Sequence, residues 1–201
     1  MCNSKKIVRK PDNLITKYWD DMEGFLADAK KVDRNYKLYL SNLDKEERAL
    51  PKFNTWGCRY TILSSFLYLE AFINLEYFHN LFLTASPKEL NQTQIANLDR
   101  TMIKTLFDEK WSTWIENFVG KKLKLKGERE YQELMQLKNW RNHLTHYKIQ
   151  HMTFIHKEIE TVERAIEAKR IAVQSSKWYY DITQVEIPEW IQRDVLASGN
   201  E

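Results

Sequence analysis

An all-α fold follows from three features of the sequence. Among 201 residues there are only four Pro and five Gly, no run alternates apolar and polar residues as a half-buried strand must, and several stretches repeat apolar residues with a helical period. The length suits a single domain with a proper core. Seven Trp, ten Tyr and nine Phe make the interior or an interface aromatic. The net charge of +3 is mild, so nucleic-acid binding requires a local basic patch rather than a global excess. Cys2 and Cys58 have no metal-ligand spacing and form no disulfide framework, which fits a reducing cytoplasm.

The elements can be justified in order. Residues 1–12 carry Lys5, Lys6, Arg9 and Lys10 with no apolar core after them, which predicts a flexible basic arm and no signal peptide. From Asn13 onward, Leu14, Tyr18, Met22, Phe25 and Leu26 keep a 3.6-residue period; this predicts a helix ending before Asp33, with a second, short helix from Tyr36 to Leu43. Residues 58–83 form a hydrophobic spine. Its length alone fits a membrane span, but Glu70, Asn74, Glu76 and His79 lie inside it and a carboxylate in lipid is expensive, so a central core helix is expected. Leu63, Leu67, Glu70, Asn74, Tyr77 and Leu81 share one of its faces.

Ser86-Pro87-Lys88-Glu89 has the residue types of a helix start. A further helix is expected from about Asn97 through Phe118, with Met102, Leu106, Trp111 or Trp114, and Phe118 on one stripe. Between Gly120 and Gly127 the basic run of Lys121, Lys122, Lys124 and Lys126 reads either as a solvated loop or as a rim that attracts RNA phosphates. Residues 157–174 predict an amphipathic helix with Ile159, Val162, Ile166 and Val173 inward. The following SSKWYYDITQVEIPEW reads as extended, with its aromatics packed on the bundle, and the chain is expected to fray after Pro188. The resulting organisation is a flexible arm (1–12), one helical domain (13–190) and a flexible tail (191–201).

The most informative chemistry lies in residues 134–147, LMQLKNWRNHLTHY. On a helix, Leu134, Leu137 and Leu144 form an apolar stripe and Arg141 falls on it, so its guanidinium is aimed at a buried or interfacial surface. There it needs a carboxylate, a phosphate or water. Glu70, amid apolar neighbours and one turn from Asn74, is the first candidate to face it and orient it. The adjacent stripe of Asn139, Asn142, His143 and His146 is polar but carries none of the Lys and Glu usual on a surface helix, and its two His titrate near neutral pH. An exposed Asn/His face with a core Arg paired to a Glu produces the same string, so both readings stay open. His143 and His146 have metal-ligand spacing, but no Cys or acidic residue stands near them in sequence, and no metal is expected.

Arg-Asn-x3-His followed by a Tyr, in a helical chain behind a long apolar helix containing a Glu, resembles the HEPN family (higher eukaryotes and prokaryotes nucleotide-binding). The resemblance covers residues 57 to about 172 and implies a HEPN-like helical bundle, a homodimer, and a metal-independent ribonuclease of a toxin–antitoxin, abortive-infection or other phage-defence system. Arg141, Asn142 and His146 take the motif positions, with Tyr147 and His143 beside them. Members paired with a nucleotidyltransferase antitoxin carry Arg-x4-His-x-Tyr, whereas Lys148 stands at that tyrosine position here. An antitoxin or another defence protein is the partner the resemblance implies, and no cofactor is expected.

RNA carries its own nucleophile, so cleavage needs a proton acceptor for the 2′-hydroxyl, a donor for the leaving oxygen and a cation for the phosphorane. His146 and Arg141 have those chemistries, and Asn142 can hold the phosphate or fix the imidazole. On an ideal helix Arg141 and His146 lie about 140° apart and about 7.5 Å along the axis, so one helix converges them poorly. Two copies about a two-fold axis can pool both sets in one cleft. The alternatives are a non-catalytic HEPN-like nucleotide-binding or partner-binding module, and a helical interaction protein with a coincidental motif.

Overall fold

The computed structural model describes residues 13–41, 56–84, 92–146 and 155–197, and every regular element among them is helical. Six helices follow in order: α1 (Asn13–Ser41), α2 (Trp56–Thr84), α3 (Gln92–Lys104), α4 (residues 107–119), α5 (Arg129–Thr145) and α6 (Val162–Thr183). Within α4 the residues Lys110–Trp114 form a π-helical turn between Phe107–Glu109 and Ile115–Val119. Among the described residues no helix is long and apolar enough to cross a membrane.

The spine residues form α2, and α1, α4, α5 and α6 pack around it. Ile62, Phe66, Tyr68, Leu69, Phe72 and Ile73 are all buried in the main core. Helix α1 runs antiparallel to α2, since Trp19 meets Tyr68, Phe25 meets Tyr60, and Gly57 lies against Ala29. Gly57 allows this close crossing: a Cβ there would stand 2.9 Å from the carbonyl oxygen of Phe25. Helix α6 runs parallel to α2, with Tyr68 hydrogen-bonded to Ser176 at 3.0 Å and the Tyr180 hydroxyl donating to Glu76 at 3.0 Å. Helix α5 lies antiparallel to α6, because Trp140 meets Arg164, Glu133 accepts from Arg170 at 3.0 Å, and Glu128 accepts from the Trp178 indole at 2.8 Å.

Several elements differ from the sequence expectation. Helix α1 does not stop before Asp33 and restart at Tyr36; it continues to Ser41, and a Lys37–Asp33 ion pair of 2.7 Å spans the expected break. The helix expected from Asn97 through Phe118 is instead two, α3 and α4. Leu106 between them is extended (φ −66°, ψ 148°) and 60% exposed rather than on the inner stripe, and its N–H donates to Glu109 at 3.4 Å. A new helix start beginning with Asp108 and Glu109 outweighs continued periodicity there.

The C-terminal helix starts at Val162 rather than 157, capped by the Thr161 hydroxyl, which accepts from the Arg164 N–H at 3.2 Å. Ile159 sits before it in the π-helical turn Ile155–Ile159. Ile166 points outward, whereas Ala165, Ala168, Ile171 and Ala172 line the inner face. The stretch read as extended continues this helix to Thr183, burying Trp178, Tyr179 and Tyr180. Within the stretch read as a tail, Ile191–Leu196 forms another π-helical turn with Ile191 and Val195 in the core. The helix start at 86–89, the arm at 1–12 and the end of the tail lie outside the described residues.

Candidate functional site at the C-terminal end of α5

Helix α5 buries Tyr131, Leu134, Leu137, Trp140 and Leu144 and turns Asn139 and His143 outward. Among the described residues three ion pairs involve its side chains, two of them to other helices. Lys138 reaches Asp108 at 2.9 Å, and Glu133 takes Arg129 at 2.8 Å and Arg170 at 3.0 Å. The hydrogen bond from Lys138 holds the Asp108 carboxyl below its ordinary value. Burial raises that of Glu133, but hydrogen bonds from Arg170 and Arg129 outweigh it and leave a net depression.

Arg141 is half-buried, as its place on the apolar stripe requires, but its partner is not Glu70. The guanidinium carbon lies 5.0 Å from the centroid of the Phe66 ring, and Nη1 donates to the Asn142 side-chain oxygen at 3.0 Å. Among the described residues no carboxylate comes within ion-pair distance of it. Glu70 instead accepts from Lys110 Nζ at 3.2 Å, with the lysine 1% exposed and the glutamate 35%. The face of Leu63, Leu67, Glu70, Asn74 and Tyr77 is the less covered side of α2; the face that carries Phe72, Ile73 and Glu76 is the buried one. Periodicity gave both faces similar hydrophobicity, so only the packing of α1, α4 and α6 distinguishes them. Asn74 is half-buried, and its side-chain oxygen has no hydrogen-bond partner among the described residues.

His146 is not on the helix. Thr145 is the last helical residue, and His146 caps it with φ −102° and ψ 74° while its N–H donates to the Asn142 carbonyl at 2.9 Å. Its exposed ring is therefore released from the 140° offset of an ideal helix. Asn142 thereby touches both motif partners, with its side chain on Arg141 and its carbonyl on His146. His143 is exposed on the last turn of α5. Tyr147 lies outside the described residues. Among the described residues no group of three or more His, Cys, Asp or Glu has an arrangement for a metal ion.

The basic run occupies the other end of α5. Lys121, Lys122, Lys124 and Lys126 are exposed, while Leu123 is half-buried and Leu125 fully buried. Gly120 at φ 70° ends α4, and the 3-10 turn Leu125–Gly127 leads into α5. The Leu123 N–H donates to Glu116 at 3.1 Å, and Gln132 donates to the Lys126 carbonyl at 2.6 Å. Lys124 and Lys126 border a surface cleft of about 390 Å³ that Ser112, Thr113 and Glu116 also line. Twelve residues of helix separate Arg129 from Arg141, about 18 Å of axial rise. Adjacency in sequence therefore does not put these lysines beside the motif.

Sequence reasoning missed Phe66 and Lys110. A signal for Phe66 existed: it stands one turn before Glu70 on α2. Lys110 had none, because a lysine among acids and tryptophans reads as surface until the π turn buries it. Glu160, buried and paired with Arg59, was also missed. No family model, curated protein or solved structure matches the chain.

Proposed function

We propose that this protein is a metal-independent endoribonuclease of the HEPN type, acting as a homodimer in a toxin–antitoxin or other phage-defence setting. The observation that carries this reading is Arg141: a half-buried guanidinium on an aromatic ring, with an amide oxygen as its polar partner and no described carboxylate neutralising it, next to an exposed histidine at the same helix end. Such a cation suits a phosphate, which can take two of its N–H groups at once.

In the reaction the 2′-hydroxyl oxygen attacks the adjacent phosphorus and the bond to the 5′-oxygen breaks. The products are a 2′,3′-cyclic phosphate and a 5′-hydroxyl. His146 of one copy takes the proton of the 2′-hydroxyl, a proton is delivered to the leaving oxygen by His146 of the second copy, and Arg141 holds the phosphorane charge. Asn142 fixes the guanidinium. Lys121, Lys122, Lys124 and Lys126, before the opposite end of α5, act on longer RNA as an electrostatic attractor rather than at the cleaved bond.

A second reading is a non-catalytic module that binds a phosphate-bearing nucleotide or partner through Arg141. It is favoured by the His146 ring, to which no described side chain hydrogen-bonds, so its direction is not fixed. Incubation of purified protein with single-stranded RNA in excess EDTA separates the two. The ribonuclease reading expects cleavage with 2′,3′-cyclic or 3′-phosphate ends, and survival of DNA of the same sequence. Binding without cleavage establishes the second reading, and cleavage only with an added divalent ion removes the metal-free mechanism.

A further inference from the structure

Arg141 lies over Phe66, and Glu70 stands one turn further along the same helix, about 6 Å of axial rise from Phe66. An unoccupied carboxylate one turn away on the same face of α2 would be a stronger partner for a half-buried guanidinium than an aromatic ring is. The ring nevertheless holds the arginine, and the reason is on the facing helix. Lys110, fully buried in the π-helical turn of α4, engages Glu70 at 3.2 Å and lies 5.6 Å from the centroid of a Trp114 ring. Trp114 is itself stacked on Tyr77 of α2 at 3.9 Å, and Phe107 packs on Phe66 at 4.7 Å. These contacts before and after the lysine hold this part of α4 against α2. A buried ammonium needs its anion more than the part-exposed glutamate needs a second cation.

We propose that Lys110 is a positioning residue: by occupying Glu70 it keeps Arg141 on the Phe66 ring, with its charge available to a phosphate. Lys110 touches no substrate and acts through Glu70 alone. The proposal rests on the reading of Arg141 as the phosphate-binding group. It extends that reading by making the availability of the arginine depend on a residue in a different helix.

The test compares wild type, Lys110→Met, Glu70→Gln and the Lys110→Met/Glu70→Gln double variant, each checked for folding by thermal melt. Two signals are read on the full chain. One is the Nε–H resonance of Arg141, identified by its loss in Arg141→Lys, with no RNA present. The other is the affinity for a short single-stranded RNA. In Lys110→Met the resonance should shift and exchange with solvent more slowly as Glu70 captures the arginine, and RNA affinity should fall on the order of tenfold. Removing the carboxylate charge in the double variant should return both signals to wild type. A packing defect cannot be rescued by Glu70→Gln, so a double variant as impaired as the single, or an unmoved resonance in Lys110→Met, overturns the proposal. If Lys110→Met does not fold, Lys110→Gln leaves the carboxylate charge uncompensated and should give the same loss and the same rescue. A resonance that responds as expected while no variant changes RNA affinity upholds the positioning and removes the phosphate-binding reading of Arg141.

Discussion

The guanidinium of Arg141 stacks on the ring of Phe66, 5.0 Å from its centroid. A cation on a ring stabilises the fold less than a buried ion pair does, so Arg141→Ala should cost only about 1 kcal/mol while removing RNA binding. Denaturant melts check the first part and RNA titration the second. A cost near 3 kcal/mol would show that the arginine has a carboxylate partner after all.

His146 contributes an exposed side chain beyond the last helical residue, and among the described residues its backbone N–H is what bonds to the fold. His146→Ala should therefore abolish RNA cleavage and change stability by less than about 1 kcal/mol. If instead the variant unfolds, the histidine is structural and the ribonuclease reading loses its proton carrier.

The proposed mechanism draws its two histidines from two copies. Sedimentation should give a homodimer, with Arg141 and His146 at or beside the contact between copies. An active monomer at micromolar concentration would contradict this.

The pairs Asp108–Lys138 and Glu133–Arg170 tie α5 to α4 and α6, and both carboxyls are depressed in the folded protein. A depressed carboxyl means that the unfolded chain takes up protons first as pH falls. Its contribution is complete above about pH 5, where the unfolded carboxyls are ionised, and is lost as pH falls through the lower folded values. Melting temperatures should therefore decline on acidification below that point, and Lys138→Met should show a shallower decline. Equal acid slopes in the two proteins would exclude the Asp108 pair as a source.

Leu125 anchors the basic run, at 1% exposure between exposed lysines. Leu125→Ala should cost about 2–4 kcal/mol by the cavity it leaves. Lys124→Ala, on an exposed side chain, should leave the melt unchanged and weaken binding of longer RNA in a salt-dependent way. A salt slope equal to that of wild type would remove Lys124 from the RNA-binding surface.

The sequence by itself determined the all-helical class, the central helix α2, the burial of Leu134, Leu137 and Leu144, and the place of Arg141 on their stripe. Each rests on a period repeated over several turns, which local geometry alone imposes. Only the tertiary structure decided which cation meets which anion. Glu70 pairs with Lys110 rather than Arg141, because a π turn buried the lysine, where an unpaired ammonium is costly. The same holds for the end of α5. Whether His146 is the last residue of a helix or the first beyond it depends on the energetics of one turn, and the sequence pattern is the same in both cases. The separation of the lysines from Arg141 is likewise a matter of helix length in space: the run precedes α5, and Arg141 stands near its C-terminal end.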